Sequence, residues 1–313
     1  MKIKSTREAV ISALIQLAER DERYVLVSAD SMAAARALPF RERFPDRVYE
    51  VGIAEQNAVG FAAGLASTGL IPFVITYCGF LTMRACEQIR TFVAYPGLNV
   101  RFVGLNGGVF GGEREGVTHQ FFEDLGITRA IPGITVLTPA DANQAHHLTL
   151  QTAGVEGPAY LRIGSGKEYE VYPEDAPAPL GKLNIVRDYG RDVCIFSSGF
   201  VLNRAVDAVE QLRTLGINAV LADVHTLKPL DNPRVAELLR ETGRAVTIED
   251  HNVIGGLGSA VCEVACEQAP AAVIRVGLQD VYPRSGHADE LLDYCGITAE
   301  AVVAAATELC GRG

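Results

Sequence analysis

The sequence predicts an α/β protein of two domains, each a mainly parallel sheet with helices on both faces. Three observations predict it. Short, continuously apolar runs alternate with helical stretches, as expected for strands buried on both sides. A stretch rich in Pro and acids, residues 171–181, divides the chain by composition. The 313 residues are enough for two cores. In order, a helix over 6–20 carries Val10, Leu14 and Leu17 at helical spacing. A strand over 24–28 ends at Ala29 and Asp30, and a strand over 48–51 leads into a helix over 55–67. A strand over 71–76 leads into a helix near 80–93, and a strand over 100–104 leads into a Gly-rich loop. A strand over 135–137, a helix over 141–153 and a strand over 159–163 close the first unit. The second unit alternates strands over 193–197, 219–223, 245–249 and 273–276 with helices near 201–215, 232–242, 258–268 and 298–310. The domains are therefore placed at 1–170 and 184–313, with a linker over 171–183.

Composition narrows the function classes. Hydrophobic content of 48% and charged content of 21% are those of a globular chain. A formal net charge of -10 argues against nucleic acid and anionic membrane as partners. It leaves small anionic substrates open, because local Arg residues can override the global field. The seven Cys show no CxxC and no framework spacing, which fits reduced thiols and a cytoplasmic location better than disulfides or zinc. The amino-terminal stretch reads as an amphipathic helix and not as a signal peptide. No apolar run approaches the ~20 residues that a transmembrane helix needs.

The most informative segment is Tyr49 to Gly60 with its continuation to Ala66: a short strand, a tight Gly turn and a small-residue helix that opens on Glu55. A carboxylate is favoured at a helix N-terminus, and Gly60 and Gly64 share one face that permits close packing. Alone, the segment fits a helix-capping Glu equally well. Tyr77, Phe80 and Met83 follow the third strand and read equally as a ring-binding pocket or as core packing. The loop from Asn106 to Gln120 is Gly-rich but lacks a phosphate-loop pattern, and it ends in Thr118-His119-Gln120. Gly255-Gly256-Leu257-Gly258-Ser259 opens a helix but is not a dinucleotide fingerprint. Thr226 to Asp231 reads as a turn without chemistry.

Together these motifs resemble, over essentially the whole chain, the second half of the transketolase family of thiamine diphosphate enzymes. The resemblance implies a pyrimidine-binding domain followed by a transketolase C-terminal domain. It implies that Glu55 contacts the aminopyrimidine of thiamine diphosphate, a role suited to a buried carboxyl, since burial raises such a pKa. Tyr77, Phe80 and Met83 would line the cofactor ring, with Met83 where transketolases usually carry Tyr. Asp30 would lie near the thiazolium. His119 would bond an oxygen of the donor sugar, and Glu115, in place of the usual Asp, would meet a hydroxyl. Arg7 and Arg162 would bind the substrate's anionic group. Two further anion contacts of the family are replaced, by Ala34 and Gly107, which opens the substrate range to a different sugar phosphate, a sulfonated sugar or an unphosphorylated ketose.

The family's Gly-Asp-Gly motif for Mg²⁺ (or Ca²⁺), with its downstream Asn, is absent from this sequence. The expectation is a split enzyme. A separate subunit carries the diphosphate and the metal, the assembly is an α2β2 heterotetramer, and the reaction is transfer of a two-carbon ketol unit from a ketose to an aldose. Within the superfamily the rivals are a 1-deoxyxylulose-phosphate-synthase-like subunit, which carries Arg at the position of Met83, and a 2-oxoacid-dehydrogenase β-like subunit. From other classes they are an NAD-dependent oxidoreductase using the Gly255–Ser259 turn and a non-catalytic assembly subunit.

Overall fold

The computed structural model describes residues 2–109, 111 and 115–311. In the first half it contains β1 (Ile3–Lys4), α1 (Thr6–Arg20), β2 (Tyr24–Ser28), α2 (Leu38–Arg43), β3 (Val48–Glu50), α3 (Glu55–Ser67), β4 (Ile71–Tyr77), α4 (Cys86–Gln88), β5 (Arg101–Leu105), α5 (Asp124–Ala130), β6 (Thr135–Leu137), α6 (Ala142–Gln151), β7 (Ala159–Arg162) and β8 (Glu168–Tyr169). The second half contains β9 (Asn184–Asp188), β10 (Val193–Ser198), α7 (Leu202–Thr214), β11 (Ala219–Asp223), β12 (Thr226–Lys228), α8 (Asn232–Thr242), β13 (Arg244–Asn252), α9 (Leu257–Glu267), β14 (Ala272–Leu278), α10 (Ala288–Tyr294) and α11 (Ala299–Gly311).

A seven-stranded sheet runs β12-β6-β7-β5-β4-β2-β3, and a five-stranded sheet runs β14-β13-β10-β11-β9. All neighbours are parallel except β12 on β6 and β9 on β11. The two-domain α/β expectation holds, with one correction. Residues 226–228 are not a mere turn: they leave the second half and pair with β6 in the first half's sheet. Buried residues of both sheets, among them Phe102, Val136, Phe196 and Leu227, accordingly belong to one apolar cluster.

Local chemistry explains the helix starts. Ser5 caps α1 by accepting from Glu8 N at 3.2 Å. Asp141 caps α6 with Oδ1, while its Oδ2 accepts from Val171 N and Tyr172 N and so fixes the segment that follows β8. Helix α3 packs through Ala58, Val59, Ala62 and Ala63. Gly60 and Gly64 make no close contact among the described residues: a Cβ on either would meet none of their atoms within 4 Å. The helix expected near 80–93 is irregular, with π-helical turns Phe80–Arg84 and Ile89–Ala94 flanking α4. Such wide turns re-aim side chains and favour functional sites.

Candidate active site

The residues expected to act gather at the C-terminal ends of the parallel strands, where open α/β sheets present their ligand sites. Tyr77 ends β4, and Phe80 opens the π turn that follows. Their rings meet edge to face at 5.8 Å, and the His119 ring stands at 5.2 Å from each, nearly perpendicular to both. Phe121 adds a fourth ring, 5.3 Å from Phe80. A Cβ on Gly79 would lie 2.0 Å from Phe121 Cδ1, so glycine there is what lets the rings close up. His119 Nδ1 meets Thr118 Oγ1 at 3.1 Å, and its Nε2 has no partner among the described residues.

Glu55 is 2% exposed and is the first residue of α3, where no side chain caps the helix. Its Oε2 accepts from Arg84 Nη1 at 2.6 Å. The Arg84 guanidinium in turn lies over Phe80, 4.5 Å from the ring centroid. Carboxylate, guanidinium and aromatic rings thus form one continuous wall. Beside it is a cleft of about 590 Å³ lined by Gly79, Phe80, Met83, Arg84, Phe121 and Tyr282, with Met83 45% exposed at its rim. A larger hollow of about 680 Å³ lies between α1 and α6, where His146 meets Gln16 and His147 meets the Glu174 carbonyl. Phe80, Met83, Arg84 and Phe121 line the cleft and none of them lines that hollow, so the cleft is the better candidate.

The remaining expected residues divide. Asp30 is exposed in a left-handed conformation (φ 54°), which its short polar side chain tolerates, and its N–H donates to Glu50 Oε1 at 2.6 Å. Arg7 reaches the same sheet edge: Nε donates to the Gly164 carbonyl, Nη1 to the Ala34 carbonyl and Nη2 to Asn106 Oδ1. These bonds engage three of the five N–H groups that an Arg carries. Burial lowers the Arg7 pKa against the pull of Glu168. Glu115 is exposed beside the turn Gly116–His119. Phe110, Gly112, Glu113 and Arg114 of the Gly-rich loop lie outside the described residues.

Arg162 is a correction. It was expected at the substrate anion, but it is 1% exposed and binds inward. Its Nε donates to both oxygens of Asp124, and its Nη2 donates to the Phe121 and Asp250 carbonyls. Burial alone would lower its pKa, but Asp124 and Asp250 outweigh that and hold it raised. The reason for the miss is Asp124, at the head of a short helix with no sequence signal. Gly107 follows from the same packing, since a Cβ there would lie 2.6 Å from Arg162 Cγ.

Beneath the loop, Asp250 accepts from Val109 N at 3.0 and 3.2 Å, so the second half fixes the loop's base. At the Gly255–Ser259 turn, the first amides of α9 are already occupied: Glu249 accepts from Leu257 N at 2.6 Å and Gly258 N at 2.8 Å. Two of the amides that a dinucleotide pyrophosphate would use at that helix start are thus taken by the chain's own carboxylate. Among the described residues no group of three or more His, Cys, Asp or Glu could hold a metal ion, and no helix is long and apolar enough to cross a membrane. Sequence reasoning missed Arg84, Phe121, Asp124 and Asp250. Arg84 had a usable signal: it lies four positions after Phe80, on the same helical face.

A model of the transketolase pyrimidine-binding domain matches residues 2–167, and one of the transketolase C-terminal domain matches residues 181–302. The chain is 39% identical over 306 residues to the 6-deoxy-6-sulfo-D-fructose transketolase subunit SqwH of Clostridium sp. (strain MSTE9), covering 98% of this chain and 94% of that protein. It is 34% identical over 303 residues to an apulose-4-phosphate transketolase subunit of Phocaeicola vulgatus, covering 96% of each. The 1-deoxy-D-xylulose-5-phosphate synthase of Heliobacterium modesticaldum is 36% identical over 299 residues, covering 95% of this chain but 46% of that protein. Among solved structures, a split gene transketolase described as an inactive beta4 tetramer has a TM-score of 0.89 at 38% identity, covering 98% of both chains. The transketolase from Leishmania mexicana, at 22% identity and a TM-score of 0.81, covers all of this chain with 46% of its own and shows the fold alone.

Proposed function

The chain belongs to the transketolase family, and from that premise we propose that it is the pyrimidine-binding half of a two-chain transketolase whose donor is a ketose with an anionic end. The observation that carries the reading is the continuous wall of Glu55, Arg84, Phe80, Tyr77 and His119. Relatives named as transketolase subunits match over nearly their whole length, which favours this reading over a synthase half.

The wall suits thiamine diphosphate, the cofactor of this family. It offers a buried carboxylate beside aromatic faces that can flank a flat ring. When bound, thiamine diphosphate supplies the nucleophilic carbon and the electron sink that let a ketose C2–C3 bond break. The chain's own residues do the rest. Glu55 would hold a proton at the aminopyrimidine nitrogen, and Tyr77, Phe80 and Met83 would shield the ring from water. His119 would donate from its open nitrogen to an oxygen of the donor sugar, the kind of prearranged contact that stabilises developing charge. Asp30 is proposed to lie near the thiazolium and the sugar, and Arg7 and Glu115 to meet the sugar, with the two Arg7 N–H groups that have no partner among the described residues directed to its anionic end. Arg162 is not part of this proposal.

The diphosphate and its Mg²⁺ are assigned to a separate subunit, because the relatives named as transketolase subunits match this chain over 94% and 96% of their own length, and the assembly is proposed to be α2β2. Relatives are named for a sulfonated ketose and for a phosphorylated one, and either end group suits an Arg fork. The test is to co-purify the chain with a subunit carrying Gly-Asp-Gly and to follow aldose release from sulfonated, phosphorylated and neutral ketoses. Glu55→Gln should lower kcat at least about a hundredfold while the complex stays intact. Undiminished turnover by that variant refutes the proton role.

A further inference from the structure

The two oxygens of Glu55 are not equivalent. Oε2 accepts from Arg84 Nη1 at 2.6 Å, whereas Oε1 has no hydrogen bond among the described residues. The Glu55 side chain is 2% exposed and the Arg84 side chain is 47% exposed. A buried carboxylate rarely persists without a donor, and here the donor is a half-exposed side chain at the rim of the cleft. Ordinary exposed ion pairs rotate freely and contribute little. This one is held at both ends. The guanidinium lies over Phe80, 4.5 Å from its centroid. The Arg84 carbonyl accepts from Gln56 Nε2 at 3.0 Å, which ties the π turn Phe80–Arg84 to the first turn of α3. Phe80 and Arg84 stand four apart, so the turn sets the stack and the ion pair together.

We propose that Arg84 is a positioning residue that takes Glu55 Oε2 and thereby turns Oε1 toward the cofactor ring. The proposal rests on the role given to Glu55 above. Arg84 fixes the carboxylate about its terminal torsion, a broad rotor when nothing holds it. An acid free to turn would present the correct oxygen only part of the time, and small misplacements of reacting groups are costly in rate. The stack on Phe80 couples this orientation to the ring wall, so the acid and the aromatic surface are set by one side chain.

The test uses the complex with the Gly-Asp-Gly subunit and two measurements: thiamine diphosphate affinity by calorimetry, and kcat against KM for the donor ketose. Arg84→Met keeps the stem over Phe80 and removes the fork. It should lower kcat about tenfold to a hundredfold, weaken thiamine diphosphate binding and leave the ketose KM near that of the parent. Arg84→Lys, which restores a single donor, should recover part of the loss. In a Glu55→Gln background Arg84→Met should add little, because two residues acting through one contact are not additive. Equal effects of Arg84→Met in both backgrounds, or none in either, overturn the positioning role, provided the melting temperature of the variant matches the parent. If it does not, the Lys variant decides: parent-like kcat and cofactor affinity overturn the role, and partial loss upholds it. Absence of thiamine diphosphate binding by the parent complex overturns the proposed function and this inference with it.

Discussion

At Gly107 the substrate question and the packing question meet. The family resemblance places a phosphate-contacting His there, and its absence suggested an altered anion site. The structure gives a physical reason for the glycine: a Cβ would lie 2.6 Å from Arg162 Cγ and 2.7 Å from Arg162 Nε. Arg162 cannot yield easily, because Asp124, 0% exposed, and the Phe121 and Asp250 carbonyls hold it. Gly107→Ala should therefore destabilise the chain by about 1–3 kcal/mol through overpacking, seen as a lower urea midpoint at unchanged m-value. An unchanged midpoint would mean that Arg162 swings aside and that the site could accept a larger residue. Glu55, Tyr77, Phe80 and His119 could be singled out in the sequence because each lies in a motif that follows a strand, and the roles given to them are those proposed above. The inward turn of Arg162 was not, because it depends on a carboxylate 38 positions away in sequence. Arg84 was overlooked although its spacing from Phe80 was visible, because its ion-pair partner Glu55 is 29 positions away.

At the scale of elements, long periodic helices and apolar parallel strands were legible because their patterns are local. Some short pieces were not. Helix α5, strand β9 and strand β12 interrupt their apolar residues with polar ones, whereas the equally short strand β6 was still read. Yet β12 joins the second half to the first half's sheet, and Lys228 in it donates to the Arg129 carbonyl at 2.9 Å, at the C-terminal end of α5 where a cation is favoured. The Gly255–Ser259 turn shows how one pattern can serve two ends. Its glycines read as a weak nucleotide signal, but they make room for Glu249: a Cβ on Gly256 would lie 2.0 Å from Glu249 Oε2. The chain's own carboxylate thus does what a bound phosphate does elsewhere. Glu249→Ala should orphan two buried amides at the start of α9 and lower stability by about 2–4 kcal/mol in urea unfolding. The parent should bind no nicotinamide dinucleotide. Binding that competes with the Glu249 cap would return the oxidoreductase reading to consideration.

At the scale of the whole molecule, one apolar cluster spans both sheets, so loss of either half opens the seam between them. Four titratable side chains stand at strand ends of the second half near that seam: Asp223, His225, Glu249 and His251, each at most 1% exposed. Burial raises Asp223 to about 7, against the donors Gln144 and Tyr172. It raises Glu249 to about 7, against the amides of Gly258 and Leu257. Burial lowers His225 and His251 to about 4. Between the unfolded carboxylate values, about 4, and the unfolded His value, about 6.5, the folded chain holds protons on both acids while the unfolded chain holds them on both imidazoles. Each raised acid contributes stability that is lost as pH climbs from about 4 to about 7. Each lowered imidazole contributes stability that is gained as pH climbs from about 4 to about 6.5. Stability follows the difference in bound protons, so the four contributions nearly cancel across that window. Asp223→Asn keeps an oxygen for Gln144 Nε2 and the Tyr172 hydroxyl but removes the proton. The variant's stability relative to the parent should therefore rise with pH by about 1.4 kcal/mol per unit from about pH 4 to about 7 and level off above. Urea unfolding of both proteins at a series of pH values reads this difference directly and removes every group the two share. A constant difference across the window would place the Asp223 carboxyl at its ordinary value and the seam in contact with water.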